Sequence, residues 1–387
     1  MRVALIAPDD FSIWVFRKQL LKLLRLKGHQ VFAISSRGNY AGKLEDLGAI
    51  HLTINFSRFI SPMQDLCSII RLCNLFRKYQ FDLVHSFTIK PNIYSALAGN
   101  WVGINQIFPS VTGLGFLSDE NGAESSSYNL IRAFTRNIYF NILKSSTRIW
   151  FQNPDDMNFF VDGKIISRNQ GVLIRSSGVD IEYFSPRAVN SGSIKRIREE
   201  LGANEQTRFV MMVSRALRTK GVHEFIEASE RIRLYYPEVR FVLVGDIEPG
   251  NPLSLSKEYL EAQRGSNFRW LGFRDDVREL FALADIAVLP SYYPEGVPRN
   301  LLEAMALAKP IITTDHVGCR EVVEHGKNGF LIPIKDSAAL ADGVIKILSD
   351  KKQAENFGKY SRMKVEQEFD ERVISERILS ELYRWEV

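Results

Sequence analysis

Residues 295–304 read Glu-Gly-Val-Pro-Arg-Asn-Leu-Leu-Glu-Ala, and this stretch decides how the C-terminal half folds. The apolar run 286–289 just before it is a short buried strand by pattern. Pro298 suits the first position of a helix over 298–307, because the N–H it lacks would be unbonded there anyway. The free amides around Val297, Arg299 and Asn300 then face the end of the preceding strand. Such a helix mouth attracts phosphate through its N–H groups and its dipole. Glu295 precedes the helix and Glu303 sits on its second turn, so the two carboxylates reach different parts of one ligand. In an open parallel sheet that ligand lies beyond the carboxyl ends of the strands.

Outward from this stretch, strands and helices alternate. Strands are expected at 209–213, 241–244, 268–271 and 311–313, with helices at 222–235 and 277–284. The N-terminal half repeats the pattern, with strands at 3–7, 31–34 and one ending at 85. Ser12 is the expected cap of a helix ending at Gly28, and the spacing of Leu66, Ile69, Ile70, Cys73 and Phe76 predicts another. The fold class is α/β with two Rossmann-like domains built on parallel sheets. The expected divisions are 1–185, a linker over 186–206, 207–369, and a C-terminal helix over 370–387 that packs back on the first domain.

The bulk composition agrees. A chain of 387 residues, 45% hydrophobic and 25% charged, is long enough for two ordinary cores. Cys67, Cys73 and Cys319 have no paired spacing and suit a reducing compartment. Residues 1–8 resemble a strand, not a signal peptide, and no apolar run is long enough to span a bilayer. Of the net charge of +5, residues 1–180 carry +7 and residues 181–387 carry −2. A basic N-terminal half suits an anionic surface.

A second cationic segment belongs with the 295–304 motif. Ser214-Arg215-Ala216-Leu217-Arg218-Thr219-Lys220-Gly221 follows the strand at 209–213 and therefore leaves the same sheet edge. Arg215 can hold phosphate bidentately and Lys220 adds a point charge, so both can neutralise a departing diphosphate.

Together these residues resemble the family 4 retaining glycosyltransferases of the GT-B fold, whose two Rossmann-like domains face each other across a cleft. The matching elements are Glu295 and Glu303 as the family's E-x7-E pair, Arg215 with Lys220, Ser177-Gly178-Val179-Asp180, and Leu289-Pro290-Ser291. The subgroup that looks most similar extends undecaprenyl-diphosphate-linked sugars in bacteria, as the undecaprenyl-diphosphate-bacillosamine α-1,3-N-acetylgalactosaminyltransferases do. The resemblance implies catalytic roles for Glu295, Arg215 and Lys220, with Glu295 on the donor sugar and the two cations on the diphosphate. It implies that Glu303 takes the ribose hydroxyls and that the turn Gly296, Val297, Pro298 and Arg299 lies against sugar and phosphate, with backbone amides from Gly296, Val297 and Arg299. Gly272, Phe273 and Arg274 match the loop that holds the base. No cofactor and no metal are implied. In such enzymes the leaving phosphate takes the acceptor's proton on the face where the new bond forms.

The N-terminal half departs from the commoner family pattern. Pro8-Asp9-Asp10 stands where many members have a Gly-Gly pair, and Val111-Thr112-Gly113-Leu114-Gly115 lacks the family's histidine. Candidate acceptor contacts are Lys90, His85, Asp9, Asp10, Thr112 and Gly113. Arg71, Arg77 and Lys78 on one helix, and Lys18, Lys22 and Arg25 on another, are the candidate membrane face. Clustered cations are drawn to anionic lipid by roughly 1 kcal/mol each. The resemblance thus implies a nucleotide-diphosphate sugar donor, a lipid-diphosphate-linked sugar acceptor, and a cytoplasmic enzyme peripheral on the plasma membrane. UDP-GalNAc is the favoured donor, with UDP-GlcNAc and GDP-mannose as alternatives. A GT-B sugar-nucleotide epimerase is the competing enzyme class. A nicotinamide oxidoreductase is disfavoured because APDDFSIW, not GxGxxG, follows the first strand. No nucleic-acid motif occurs, and none of the Asp-Asp pairs at 9–10, 155–156 and 275–276 forms a DxD sequence.

Overall fold

The computed structural model describes residues 1–57, 61–115, 126–265 and 267–385, without the side chains of 126–132 and 134. The final two positions of the helix expected over 370–387 lie outside it. The chain divides into two units, Met1–Gly178 with Glu371–Val387, and Val179–Asp370.

The first unit is built on β1 (Arg2–Asp9), β2 (Gln30–Ser36), β3 (Ile50–Thr53), β4 (Leu83–Phe87), β5 (Ile107–Val111), β6 (Ile149–Phe151) and β7 (Gly171–Leu173). Their order is β3-β2-β1-β4-β5-β6-β7, and every paired neighbour is parallel. Strand periodicity sorts β1 into two layers. Val3, Leu5 and Ala7 join one core with Ile13, Leu20 and Leu24 of the helix Asp10–Leu26. Ala4 and Ile6 join the other with Leu72 and Phe76 of the helix Pro62–Tyr79. Both faces of the sheet are covered, so strands read as apolar runs and not as alternation. The C-terminal residues Ile374, Ile378, Leu379, Leu382 and Tyr383 complete the first of these cores. The first helix starts earlier than Ser12 suggests. Asp9 is its cap and accepts from the Ser12 amide at 2.7 Å. A carboxylate at that position also meets the positive end of the helix dipole.

The second unit holds β8 (Arg208–Val213), β9 (Val239–Val244), β10 (Phe268–Trp270), β11 (Ile286–Leu289), β12 (Ile311–Thr314) and β13 (Gly329–Ile332). The order β10-β9-β8-β11-β12-β13 is again all parallel. Residues 186–206, read from sequence as a linker, lie inside this unit and include the helix Ser191–Glu200. That helix is polar on most of its surface, but Ile197 and the following Leu201 are buried in the unit's core.

One buried carboxyl in the first unit titrates in an accessible range. Asn153 caps the helix Pro154–Asp162, and its amide donates to Asp156 Oδ2 at 2.8 Å. Burial pushes the Asp156 carboxyl up to about 7, against that hydrogen bond. A carboxyl raised on folding favours the folded state while protonated, and this contribution is lost as pH rises from the unfolded value through 7. Asp156→Asn is therefore expected to raise the melting temperature by several degrees at pH 8 and by less at pH 5. Thermal melts showing no difference between the two pH values would refute this.

Candidate active site

In the second unit the chain runs from β8 outward to β9 and β10, then returns to place β11 on the other side of β8. The order reverses between β8 and β11, the place where open α/β sheets leave a crevice beyond their carboxyl ends. The loop after β8 carries Arg215 and Lys220, and the loop after β11 carries Glu295.

These two loops are bonded to each other. The Tyr292 amide donates to the Thr219 carbonyl at 2.9 Å. Gly221 has φ +80, and a Cβ there would sit 2.2 Å from the Pro290 carbonyl oxygen. Only glycine allows both that backbone shape and that approach. The result brings Lys220 Nζ onto Glu295 Oε1 as an ion pair, both side chains nearly buried. Ser291, fully buried, places its hydroxyl 3.0 Å from the same carboxylate oxygen.

Glu295 is also fixed from behind. The loop after β12 brings in Gly318, with φ +74, against the backbone of residues 295 and 296. Thr314 Oγ1 donates to the Ser291 carbonyl, and Asn300 Nδ2 donates to the Val213 carbonyl at 2.5 Å, tying the next helix to β8. That helix runs Arg299–Ala306, with Pro298 as its cap and not its first helical residue. Pro298 has ψ 112, extended backbone, so the helix mouth begins at Arg299. One turn on, Arg299 Nε donates to Glu303 Oε1 at 3.1 Å. Burial raises the Glu303 carboxyl, and the Arg299 cation works in the opposite direction.

The remaining residues read from the motif in this unit sit at the same sheet edge. Arg215, half exposed, donates to Glu248 at 2.5 Å. Gly272 follows β10, and its carbonyl accepts from the Gly245 amide at 2.8 Å. Phe273 is exposed. The Arg274 guanidinium is taken up by Glu200 and Asp276, at 2.5 and 2.7 Å, and these partners raise its pKa further. Its side chain is a structural tie, whereas Phe273 and Asp275 in this loop are exposed.

In the first unit, Asp9 ends β1, Lys90 follows β4, and Thr112 and Gly113 follow β5, three adjacent strands. Lys90 Nζ donates to Asp65 at 2.8 Å and to Ser57 at 2.7 Å. Burial pushes the Asp65 carboxyl up, but hydrogen bonds led by Lys90 hold it below its ordinary value. Two sequence expectations are corrected here. His85 is fully buried, with Nδ1 2.5 Å from the Tyr383 hydroxyl and Nε2 2.7 Å from the Ser110 hydroxyl. Burial lowers its pKa well below the ordinary histidine value. It is a neutral core histidine, because both faces of the sheet are covered and every side chain of β4 is buried. Asp10 is also buried, and it accepts the amides of Gly38 and Tyr40 at 2.7 and 3.0 Å. It holds the loop after β2 and is not presented to a ligand. Asp9 is half-buried and caps the first helix through Oδ1.

Arg71, Arg77 and Lys78 are exposed on the helix Pro62–Tyr79, and Met63, Leu66 and Ile70 are exposed beside them. Lys18 lies 3.9 Å from Glu371. Among the described residues, no three His, Cys, Asp or Glu side chains gather as a metal site requires, and no helix is long and apolar enough to cross a membrane. Sequence reasoning missed Ser291, Gly318 and Glu248 as parts of the site. The first was quoted in a motif without a role, and nothing in the sequence marks the other two.

Comparison with known proteins accounts for both units. Residues 2–153 match the model for glycosyl transferase 4-like domains, and residues 193–364 match glycosyl transferases group 1. The chain is 30% identical to the N,N'-diacetylbacillosaminyl-diphospho-undecaprenol alpha-1,3-N-acetylgalactosaminyltransferase of Campylobacter jejuni, over 98% of this chain and 97% of that one. This chain is a group 1 glycosyltransferase. The transferase is also 27% identical to the UDP-Gal:alpha-D-GlcNAc-diphosphoundecaprenol alpha-1,3-galactosyltransferase of Escherichia coli, over 76% of this chain and 73% of that one. In fold, it superposes on HepE of Anabaena, solved with UDP-glucose, with TM-score 0.80 and 21% identity over the whole of both chains. The transferase therefore has the GT-B fold that the resemblance implied.

Proposed function

We propose that the transferase moves a hexose or N-acetylhexosamine, with GalNAc from UDP-GalNAc the best match, onto an undecaprenyl-diphosphate-linked sugar. The observation that carries this is the Lys220–Glu295 pair, held just before the N-terminus of the helix Arg299–Ala306 at the switch point between β8 and β11. Relatives acting on undecaprenyl-diphosphate sugars supply the acceptor class.

In this reading Lys220 and Arg215 hold the diphosphate, Glu295 contacts sugar hydroxyls and Glu303 takes the ribose. The bond from the anomeric carbon to the β-phosphate oxygen breaks and the acceptor oxygen bonds that carbon on the same face. The acceptor proton passes to the leaving phosphate. The reaction retains configuration, and the two cations carry the charge that a metal would otherwise carry. Lys90, Asp9, Thr112 and Gly113 are assigned to the acceptor.

The test is nucleotide release from UDP-GalNAc, UDP-GlcNAc, UDP-Gal and GDP-mannose, with and without a polyprenyl-diphosphate sugar, in EDTA. Acceptor-dependent, EDTA-resistant release with an α-linked product is expected. Release that ignores the acceptor would point to an epimerase or hydrolase, and inhibition by EDTA would remove the metal-free step.

We also assign the exposed face of the helix Pro62–Tyr79 to an anionic membrane surface, where apolar side chains enter beside the cations. Reversing the charge of Arg71, Arg77 and Lys78 together is expected to weaken binding to anionic liposomes more than tenfold, at roughly 1 kcal/mol per cation. Co-sedimentation unchanged by these substitutions and by added salt would remove this surface.

A further inference from the structure

Glu248 lies in the loop after β9, in the stretch Asp246-Ile247-Glu248-Pro249-Gly250-Asn251. It is 7% exposed, and its carboxylate meets Arg215 Nη1 at 2.5 Å. The loop that carries it is fastened to the Arg215 segment along its length. Ala216 N donates to the Asp246 carbonyl, Arg218 N to the Leu253 carbonyl and Leu255 N to the Ala216 carbonyl, each at 2.9 Å. The Glu248 amide itself donates to Ser254 Oγ at 2.8 Å. The carboxylate therefore has a fixed position relative to the backbone of residue 215. Gly245 makes this approach possible, since a Cβ there would fall 2.0 Å from the Ser214 carbonyl oxygen.

Arg215 differs from Lys220 in needing such a support. Its side chain is 53% exposed, against 12% for Lys220. A half-exposed arginine samples many rotamers, and that freedom is lost when it grips an anion. A buried carboxylate on one nitrogen removes most of the freedom in advance and leaves other N–H donors of the guanidinium for a second anion.

We propose that Glu248 is a positioning residue that holds the Arg215 guanidinium ready for the donor's diphosphate. The proposal rests on the reading of Arg215 as a diphosphate contact. Two effects of the carboxylate compete. Its negative charge repels the phosphates, while its hydrogen bond orients the cation. The guanidinium stands between the two anions and solvent screens the rest, so orientation wins and removal of Glu248 weakens binding.

The experiment measures calorimetric affinities of the full chain for UDP and UMP, or GDP and GMP if the guanine pair binds. It uses wild type, Glu248→Ala, Glu248→Gln, Arg215→Ala and the Glu248→Ala/Arg215→Ala double variant. Glu248→Ala is expected to weaken the diphosphate about tenfold, one charged hydrogen bond's worth, and the monophosphate less than about twofold. Glu248→Gln should fall between, and it keeps the side-chain shape if the alanine variant does not fold. In the Arg215→Ala background, loss of Glu248 should change nothing further. Diphosphate binding that is unchanged or tighter in the Glu248 variants, while Arg215→Ala is weakened, overturns the inference and leaves the proposed function standing. Equal weakening of diphosphate and monophosphate also overturns it, since that is a general structural defect. Unchanged binding in Arg215→Ala, or no nucleotide binding by wild type, defeats the reading of the site itself.

Discussion

Lys220→Met is expected to lower the transfer rate by about 10²–10³-fold, the usual effect of removing one preorganised charge from a site where negative charge develops. The nearly buried setting of Lys220 makes its charge count for more than that of an exposed lysine. Methionine keeps the length of the side chain and its place near the Tyr293 ring, 5.5 Å from Lys220 Nζ. Glu295 keeps Ser291 as a partner, so the melting temperature should fall by only a few degrees. Initial rates and a thermal melt on the same preparation separate the two effects. A variant that is fully folded and within threefold of the wild-type rate would remove Lys220 from the chemistry.

Gly318→Ala is expected to abolish transfer through the backbone alone. A Cβ at residue 318 would lie 1.6 Å from the Gly296 carbonyl oxygen and 2.5 Å from that of Glu295, at φ +74. Neither neighbour is the end of a flexible side chain, so the 295–296 loop or the loop after β12 must shift. Small displacements of positioned groups are costly to rate, about 10²-fold for 1 Å. Strain of this kind also lowers stability, by roughly 1–3 kcal/mol or more. Lost activity together with a lower melting temperature is the expected result, read by rate assay and calorimetry. Wild-type activity in this variant would mean that the loop carrying Glu295 need not be held where it lies.

Much of the candidate site's arrangement was legible in the sequence. Glu295, Glu303, Arg215 and Lys220 lie close enough along the chain to strand ends for βα alternation to place them at one sheet edge. What stayed hidden depended on contacts between distant segments. Gly318 is one of many glycines until the turn it makes is seen beside residue 296. Glu248 sits in a turn-rich stretch where an acidic residue carries no signal. His85 and Asp10 misled because a polar residue at a strand end looks the same whether it faces a ligand or a neighbouring loop. Of the strands missed, β3 and β13 are four residues each, and three others carry weak local signals. β5 contains Pro109, which cannot donate to the ladder, and β6 and β7 have three residues each. They form because each is laid on an edge already ordered, β5 on β4, β6 on β5 and β7 on β6.

The contact between Gly221 and the Pro290 carbonyl has a practical consequence for engineering. Two segments separated by some seventy positions share a single wall, so neither has a shape of its own to exchange. A chimera that imports only residues 290–298 from a relative with another donor preference inherits a surface cut to fit someone else's partner. Segments 214–221 and 290–298 should be transplanted as one cassette, and the paired swap should recover activity that either swap alone loses.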